Sequence, residues 1–159
     1  MSEKQFKEFY KNNKQKAIIV DLDGTLVDNV EYCRGIKKPE DFPNFRKEIL
    51  NFEPNKWCVD LVNKYGETHV ILIVTGREDI EFSYKDSVYW LNMYLEYPFR
   101  LYMRNEEDYR KDDIIKKEIY DRIIKDRYEV ELVIDDRDVV VDMWRKIGLT
   151  CLQPNNGGY

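Results

Sequence analysis

The chain has 159 residues, 43% hydrophobic, 14% aromatic and 36% charged, with a formal net charge of −5. That is enough apolar sequence for one domain with a sizeable core, and it excludes an intrinsically disordered chain. The acidic balance argues against wide electrostatic contact with a nucleic-acid duplex, but not against an enzyme that holds only the end of a strand.

No apolar run approaches the ~18 residues of a membrane span, so no membrane association is expected. The N-terminal "MSEKQFKEFYKNNKQK" is charged throughout and has no apolar h-region, so it does not read as a secretory signal. Cys33, Cys58 and Cys151 are odd in number, widely spaced and without paired histidines. They read as free thiols in a reducing cytoplasm. The Tyr-rich composition serves a core or an interface equally, which leaves the oligomeric state open.

Read in chain order, Phe6 to Lys14 is a short amphipathic lead-in helix and Ala17 to Asp21 a first strand. Residues 28–55 carry Pro39, Pro43 and Pro54 and read as irregular, a small cap or insertion, with a helical turn or two in "FRKEILNF". Trp57, Val59, Leu61 and Val62 mark a helix that ends at Gly66. "HVILIVTGR" is a second buried strand, and its His69, the only histidine, reads as a strand residue rather than a catalyst. "SVYWLNMYLEY" is helical and is stopped by Pro98, and "FRLYMR" is a short strand. "KDDIIKKEIYDRIIKDRY" has isoleucines at helical spacing, with Asp112 or Asp113 as cap. "VELVIDD" is a buried strand, "RDVVVDMWRKIG" a helix closed by Gly148, and "TCLQ" a last strand. Continuous β-branched strands alternating with helices predict an α/β fold, a doubly wound parallel sheet covered on both faces.

Ligands in such sheets bind beyond the carboxyl ends of the strands. Three strands here end in chemistry: "IIVDLD", "LIVTGR" and "LVIDD". Asp21 and Asp23 lie two residues apart and project the same way if the strand continues. Side by side they repel unless a proton or a cation intervenes. Gly24 permits a sharp exit, and Thr25 adds a hydroxyl and a free amide. The set suits a divalent metal together with a phosphate, although an acidic turn capping the strand has the same local pattern. Lys116, one turn into its helix, places an ammonium within reach of the same edge.

Asp21-Leu22-Asp23-Gly24-Thr25-Leu26, then Thr75, Lys116 and Asp135-Asp136 resemble the four ordered motifs of the haloacid dehalogenase superfamily of phosphohydrolases. The strings "VTGRED", "MRNEEDYRKDDIIKKEIY" and "VIDDRDVVVDMWRKIGLTCLQ" resemble, more narrowly, the 3′-phosphatase domains of phage polynucleotide kinase/phosphatases. The resemblance implies a Rossmann-like sheet with at most a small cap and an Mg2+-dependent polynucleotide 3′-phosphatase acting on DNA or RNA ends. It implies Asp21 as the nucleophile that becomes an aspartyl-phosphate, and Asp23 as the acid and base. Thr75 and Lys116 would hold phosphoryl oxygens, and Asp21, Asp23 through its carbonyl, Asp135 and Asp136 would ligate the metal. Gly24, Thr25, Gly76, Arg77 and Asp112 match substrate-binding positions. Arg34 is a further candidate, with Arg104 and Arg110 behind it, and Arg77 and Arg34 are expected to meet phosphates beyond the scissile one.

The bifunctional relatives carry a P-loop kinase, and no Gly-x-x-x-x-Gly-Lys-[Ser/Thr] string occurs here, so a 5′-kinase activity is not expected. Tyr89, Trp90 and Tyr94 have the chemistry to stack on bases but sit at core spacing. A phosphatase of a small metabolite or free nucleotide uses the same nucleophile and remains the alternative. A receiver-like switch would also use an acidic pair, a Thr and a Lys, but Asp23 would discharge its acyl-phosphate. An EF-hand reading fails, because Gly24 and Leu26 fall where the calcium loop needs other residues.

Overall fold

The alternation of side chains along β1 (Gln15–Val20) sets the layers of the molecule. The computed structural model describes residues 2, 4, 5, 8, 9 and 13–159. Ile18 and Val20 enter one core cluster while Ala17 and Ile19 enter another, so the strand is buried on both faces. The other strands are β2 (Val70–Glu78), β3 (Phe99–Arg104), β4 (Tyr128–Ile134) and β5 (Cys151–Leu152). They form a five-stranded sheet of order β3-β2-β1-β4-β5 in which every pairing is parallel. This is the doubly wound α/β sheet expected from the apolar runs.

On one face, α3 (Lys56–Gly66) contributes Cys58, Val59 and Val62, and α4 (Glu81–Tyr94) contributes Trp90 and Leu91. On the other, α6 (Asp138–Lys146) contributes Val140, Val141 and Trp144, with Ile124 beyond α5 (Asp112–Ile119). Full burial of each such side chain stabilises the fold by about 1.5–3 kcal/mol. The Trp90 indole donates to the Phe52 carbonyl at 2.8 Å, which offsets the cost of burying its N–H.

The segment before α3 is more regular than its prolines suggest. It holds α1 (Val30–Gly35), a 3-10 turn (Pro39–Asp41), α2 (Phe42–Glu48) and a second 3-10 turn (Ile49–Asn51). Tyr32, Phe45 and Phe52 bring their rings together here, with centroids 5.1 to 5.9 Å apart. Such a tertiary cluster leaves no local period in the sequence. α4 begins at Glu81, ahead of its apolar period, because Ser83 and Ser87 occupy its buried face. α5 starts after Lys111, and neither Asp112 nor Asp113 is the capping residue. It ends in a π turn (Tyr120–Ile124). Gly148 closes α6 at φ 93°, a region that favours glycine.

The lead-in helix expected over Phe6 to Lys14 falls largely on residues outside the described ones. Cys33, Cys58 and Cys151 are unpaired. Among the described residues, no helix is long and apolar enough to cross a membrane.

Candidate active site

The sheet order reverses at β1, which lies between β2 and β4, and a crevice at such a switch point is where open α/β sheets bind ligands. The Asp21 amide still donates to the Ile134 carbonyl at 2.9 Å, so β1 and β4 run out together and deliver Asp21 and Asp135 side by side. The chain then turns at Gly24, with φ 75°. A Cβ there would collide with the Asp136 carboxylate, so conformation and space both call for glycine.

Asp21, Asp135 and Asp136 are buried, and one carboxylate oxygen from each lies within 4.8 Å of the others. Lys116, brought in by the second turn of α5, is 1% exposed and donates to Asp21 Oδ1 and Asp135 Oδ2, both at 2.7 Å. Burial acts to lower the Lys116 pKa, but Asp135, Asp21 and Asp112 outweigh it and hold the ammonium well above its ordinary value. Burial raises the Asp21 carboxyl, and Asp135 and Asp136 push it further against the pull of Lys116. Burial also raises Asp136, with Asp135 adding to the effect and the Tyr159 hydroxyl opposing it. One ammonium cannot neutralise three carboxylates. Asp135 Oδ1 is buried with no hydrogen-bond partner, and an all-oxygen donor set of this charge fits Mg2+.

Asp23 faces a different environment, and its carboxylate is not part of that cluster. Arg77 Nε donates to Oδ2 at 2.8 Å and Nη2 to Oδ1 at 2.6 Å, while Asn29 Nδ2 donates to Oδ1 at 2.9 Å. Asn29 also accepts from the Gly24 amide at 2.7 Å through Oδ1, so one buried side chain ties the turn to the carboxylate. Thr25 Oγ1 sits 3.3 Å from Asp21 and 3.4 Å from Asp136. Thr75, buried in β2, accepts from the Arg77 amide at 3.2 Å.

The structure places Arg77 inside the protein. Its guanidinium is buried, with Nη1 donating to Ser87 at 2.9 Å and its carbon 5.7 Å from the centre of the Phe45 ring. Nε, Nη1 and Nη2 each make one bond to a protein oxygen, on Asp23 or Ser87. Asp112 is likewise enclosed. Arg104 and Arg137 each donate to one of its oxygens, and burial, which would raise its carboxyl, is outweighed by those arginines and Lys116. A Cβ on Gly76 would lie 2.8 Å from Asp112 Oδ1, so the glycine admits this anchor. Arg104 also donates to the Gly76, Asp108 and Arg110 carbonyls, which makes it a strut of the fold.

Arg34 pairs with Glu31 and donates to the Asn156 carbonyl at 3.1 Å, and Arg110 pairs with Asp108 and Glu118. Trp90 is core and Tyr94 packs on it at 4.6 Å, whereas Tyr89 is exposed. His69 bonds Glu131 and Thr68, away from the carboxylate cluster.

Several site residues carry no local signal. Asn29 and Ser87 act through side-chain bonds five to ten residues away that follow no sequence period, and the C-terminal segment through contacts distant in sequence. Asn155 donates to the Gly24 carbonyl at 2.6 Å, and the Tyr159 hydroxyl donates to Asp136. Arg137 Nη2 donates to the Tyr159 carbonyl at 2.9 Å. Arg137 was within reach of sequence reasoning, because it follows Asp135-Asp136 directly.

Comparison with known proteins agrees with this fold. The chain is 33% identical to a chain in the structure of the Pnkp1/Rnl/Hen1 RNA repair complex, with a TM-score of 0.75 over 92% of this chain and 44% of that one. A second structure of a Pnkp1/Rnl/Hen1 complex matches at 33% identity and a TM-score of 0.74, covering 92% of this chain and 48% of that one. A viral protein of Autographa californica nuclear polyhedrosis virus, assigned as a bifunctional polynucleotide kinase/RNA ligase, is 26% identical over 91% of this chain and 21% of its own length. The chain therefore spans less than half the length of these relatives. A haloacid dehalogenase-like hydrolase from Streptococcus pneumoniae shares the fold, with a TM-score of 0.55 at 17% identity over 87% of this chain and 84% of that one. The family model for the phosphatase domain of polynucleotide kinase PNKP matches residues 15–159, from the first residue of β1 through Tyr159, and the chain belongs to that family.

Proposed function

We propose that this chain is an Mg2+-dependent phosphatase that removes the 3′-terminal phosphate from DNA or RNA ends through an aspartyl-phosphate on Asp21. One observation carries the reading: two aspartates two residues apart sit in opposed settings. Asp21 lies among Lys116, Asp135 and Asp136, whereas Asp23 is clamped by Arg77 and Asn29. A two-step displacement needs such a division, because one carboxylate must attack phosphorus while the other moves protons.

Asp21, Asp135 and Asp136, with the Asp23 carbonyl, would hold Mg2+, which when bound offsets the charge of the cluster and of the phosphoryl group. Lys116 uses two of its three protons on Asp21 and Asp135, leaving one for a phosphoryl oxygen. Thr75 accepts from the Arg77 amide, so its own hydroxyl proton is free to donate to another. Both act where charge accumulates during transfer. Asp23 would give a carboxyl proton to the departing 3′ oxygen, one bond of the Arg77 fork giving way at the protonated oxygen, and would then take a proton from the water that attacks the aspartyl-phosphate. The remaining Arg77 bond and Asn29 would keep it in place through both steps. A receiver-like switch has no use for a proton carrier so firmly held.

The polynucleotide substrate is supported by the family and by relatives named for polynucleotide kinase and RNA repair. It is tested by phosphate release from 3′-, 5′- and 2′,3′-cyclic-ended oligonucleotides and free nucleotides, with and without Mg2+. Release confined to 3′ ends in Mg2+ is the expected result. Preference for free nucleotides would favour a metabolite phosphatase instead.

A further inference from the structure

We propose that the cavity beside Asn29 seats the terminal nucleoside of the strand end, with the ring of Tyr32 as its stacking surface. The inference rests on the 3′-phosphatase reading and extends it to the group that leaves. The cavity has a volume of about 370 Å3, and its walls include Asn29, Tyr32, Arg34, Phe52, Asn155 and Asn156. That falls within the range of clefts that hold small organic ligands.

Its position follows from the chemistry. The leaving oxygen departs towards Asp23, so the nucleoside bonded to that oxygen lies on the Asp23 side of the phosphoryl group. Asn29 is the wall between the two, because it donates to Asp23 at 2.9 Å and also lines the cavity. Asn155 lines the cavity from the opposite segment and fixes the Gly24 carbonyl at 2.6 Å. The cavity thus opens one side chain away from the proton donor.

Charge decides which part of a nucleotide enters. Asp28 and Glu31 lie on the walls with a single cation, Arg34, which is already paired with Glu31 and the Asn156 carbonyl. A second phosphate would meet an uncompensated carboxylate there, whereas a neutral base and sugar would not. Tyr32 supplies the apolar surface. It is 36% exposed, and its ring packs against Phe52, itself a wall of the cavity, and Phe45, with centroids 5.1 and 5.9 Å away. A half-exposed ring already held by packing loses little freedom when a base stacks on it.

The test compares kcat/KM on 3′-phosphorylated oligonucleotides whose terminal nucleotide carries a base or is abasic, using the wild-type protein and Tyr32→Ala. Wild type should lose about tenfold on the abasic end, in line with base–aromatic stacking. Tyr32→Ala should lose about tenfold on the end that carries a base, and the two losses should not multiply when combined. Equal wild-type kcat/KM on the two ends, or losses that multiply, overturns the pocket alone. The wild-type comparison decides even if the variant fails to fold. Hydrolysis of p-nitrophenyl phosphate without hydrolysis of either oligonucleotide overturns the strand-end reading, and the pocket with it.

Discussion

Arg77 closes its guanidinium fork on Asp23, with Nε 2.8 Å from one carboxylate oxygen and Nη2 2.6 Å from the other. Two parallel bonds fix the plane of a carboxylate as well as its position, which a lysine cannot do. In the proposed mechanism the arginine would therefore act on the reaction through Asp23.

Arg77→Lys and Arg77→Ala should both lower kcat on a 3′-phosphate end by about a hundredfold or more, the scale of general acid–base catalysis. The loss should be smaller on p-nitrophenyl phosphate, whose leaving group departs without a proton. The salt dependence of KM should not change, because no flanking phosphate contact is lost. A flattened salt slope in the variant would return Arg77 to the substrate.

Chelation should abolish activity and Mg2+ should restore it, since Asp21, Asp135 and Asp136 are crowded around a single ammonium. Mg2+ should also raise the melting temperature, by an amount equivalent to about 2.7 kcal/mol at a hundredfold excess over its Kd. Asp136→Asn removes one of the repelling charges while keeping an acceptor for Tyr159. It should melt higher than wild type in chelator and gain less from Mg2+. Differential scanning fluorimetry with and without the metal reads both effects.

Asp21→Asn should cost more than about a hundredfold in turnover, because an amide is a poor nucleophile and the swap keeps its shape. Circular dichroism should report an unchanged fold. Beryllofluoride with Mg2+ should bind wild type at Asp21 and leave the variant unmodified in a crystal structure. Residual turnover above about a hundredth of wild type would place the nucleophile elsewhere.

Asp112 anchors α5 by pairing with Arg104, on β3, and with Arg137, just before α6. Asp112→Asn should destabilise by about 2 kcal/mol, less than for a wholly buried pair because Arg137 is 34% exposed. The folded carboxyl is held below its ordinary value of 3.8, despite burial, by Arg137, Lys116 and Arg104. Its contribution is therefore complete above that value and disappears as pH falls through the depressed folded one. Urea titrations should show a constant gap between wild type and variant from neutral pH down to mildly acid, closing only in strong acid.

Sequence alone determined the parallel α/β sheet and the motif residues gathered at its carboxyl edge: Asp21, Asp23, Thr75, Lys116 and the Asp135-Asp136 pair. Those signals are local. A buried strand announces itself over a few apolar residues, and a polar residue that ends it is placed at the sheet edge by chain geometry alone. What each charged side chain faces was decided by tertiary structure. Arg77 and Asp23 are 54 positions apart, and Tyr159 reaches Asp136 from the far end of the chain. Asp112 follows the same logic, since its carboxylate turns to two arginines from other elements rather than capping its own helix. The regularity of residues 28–55 also came from packing, because the ring cluster of Tyr32, Phe45 and Phe52 has no period to read. Strand and helix patterns repeat along the chain, whereas an ion pair depends on which elements the fold sets side by side.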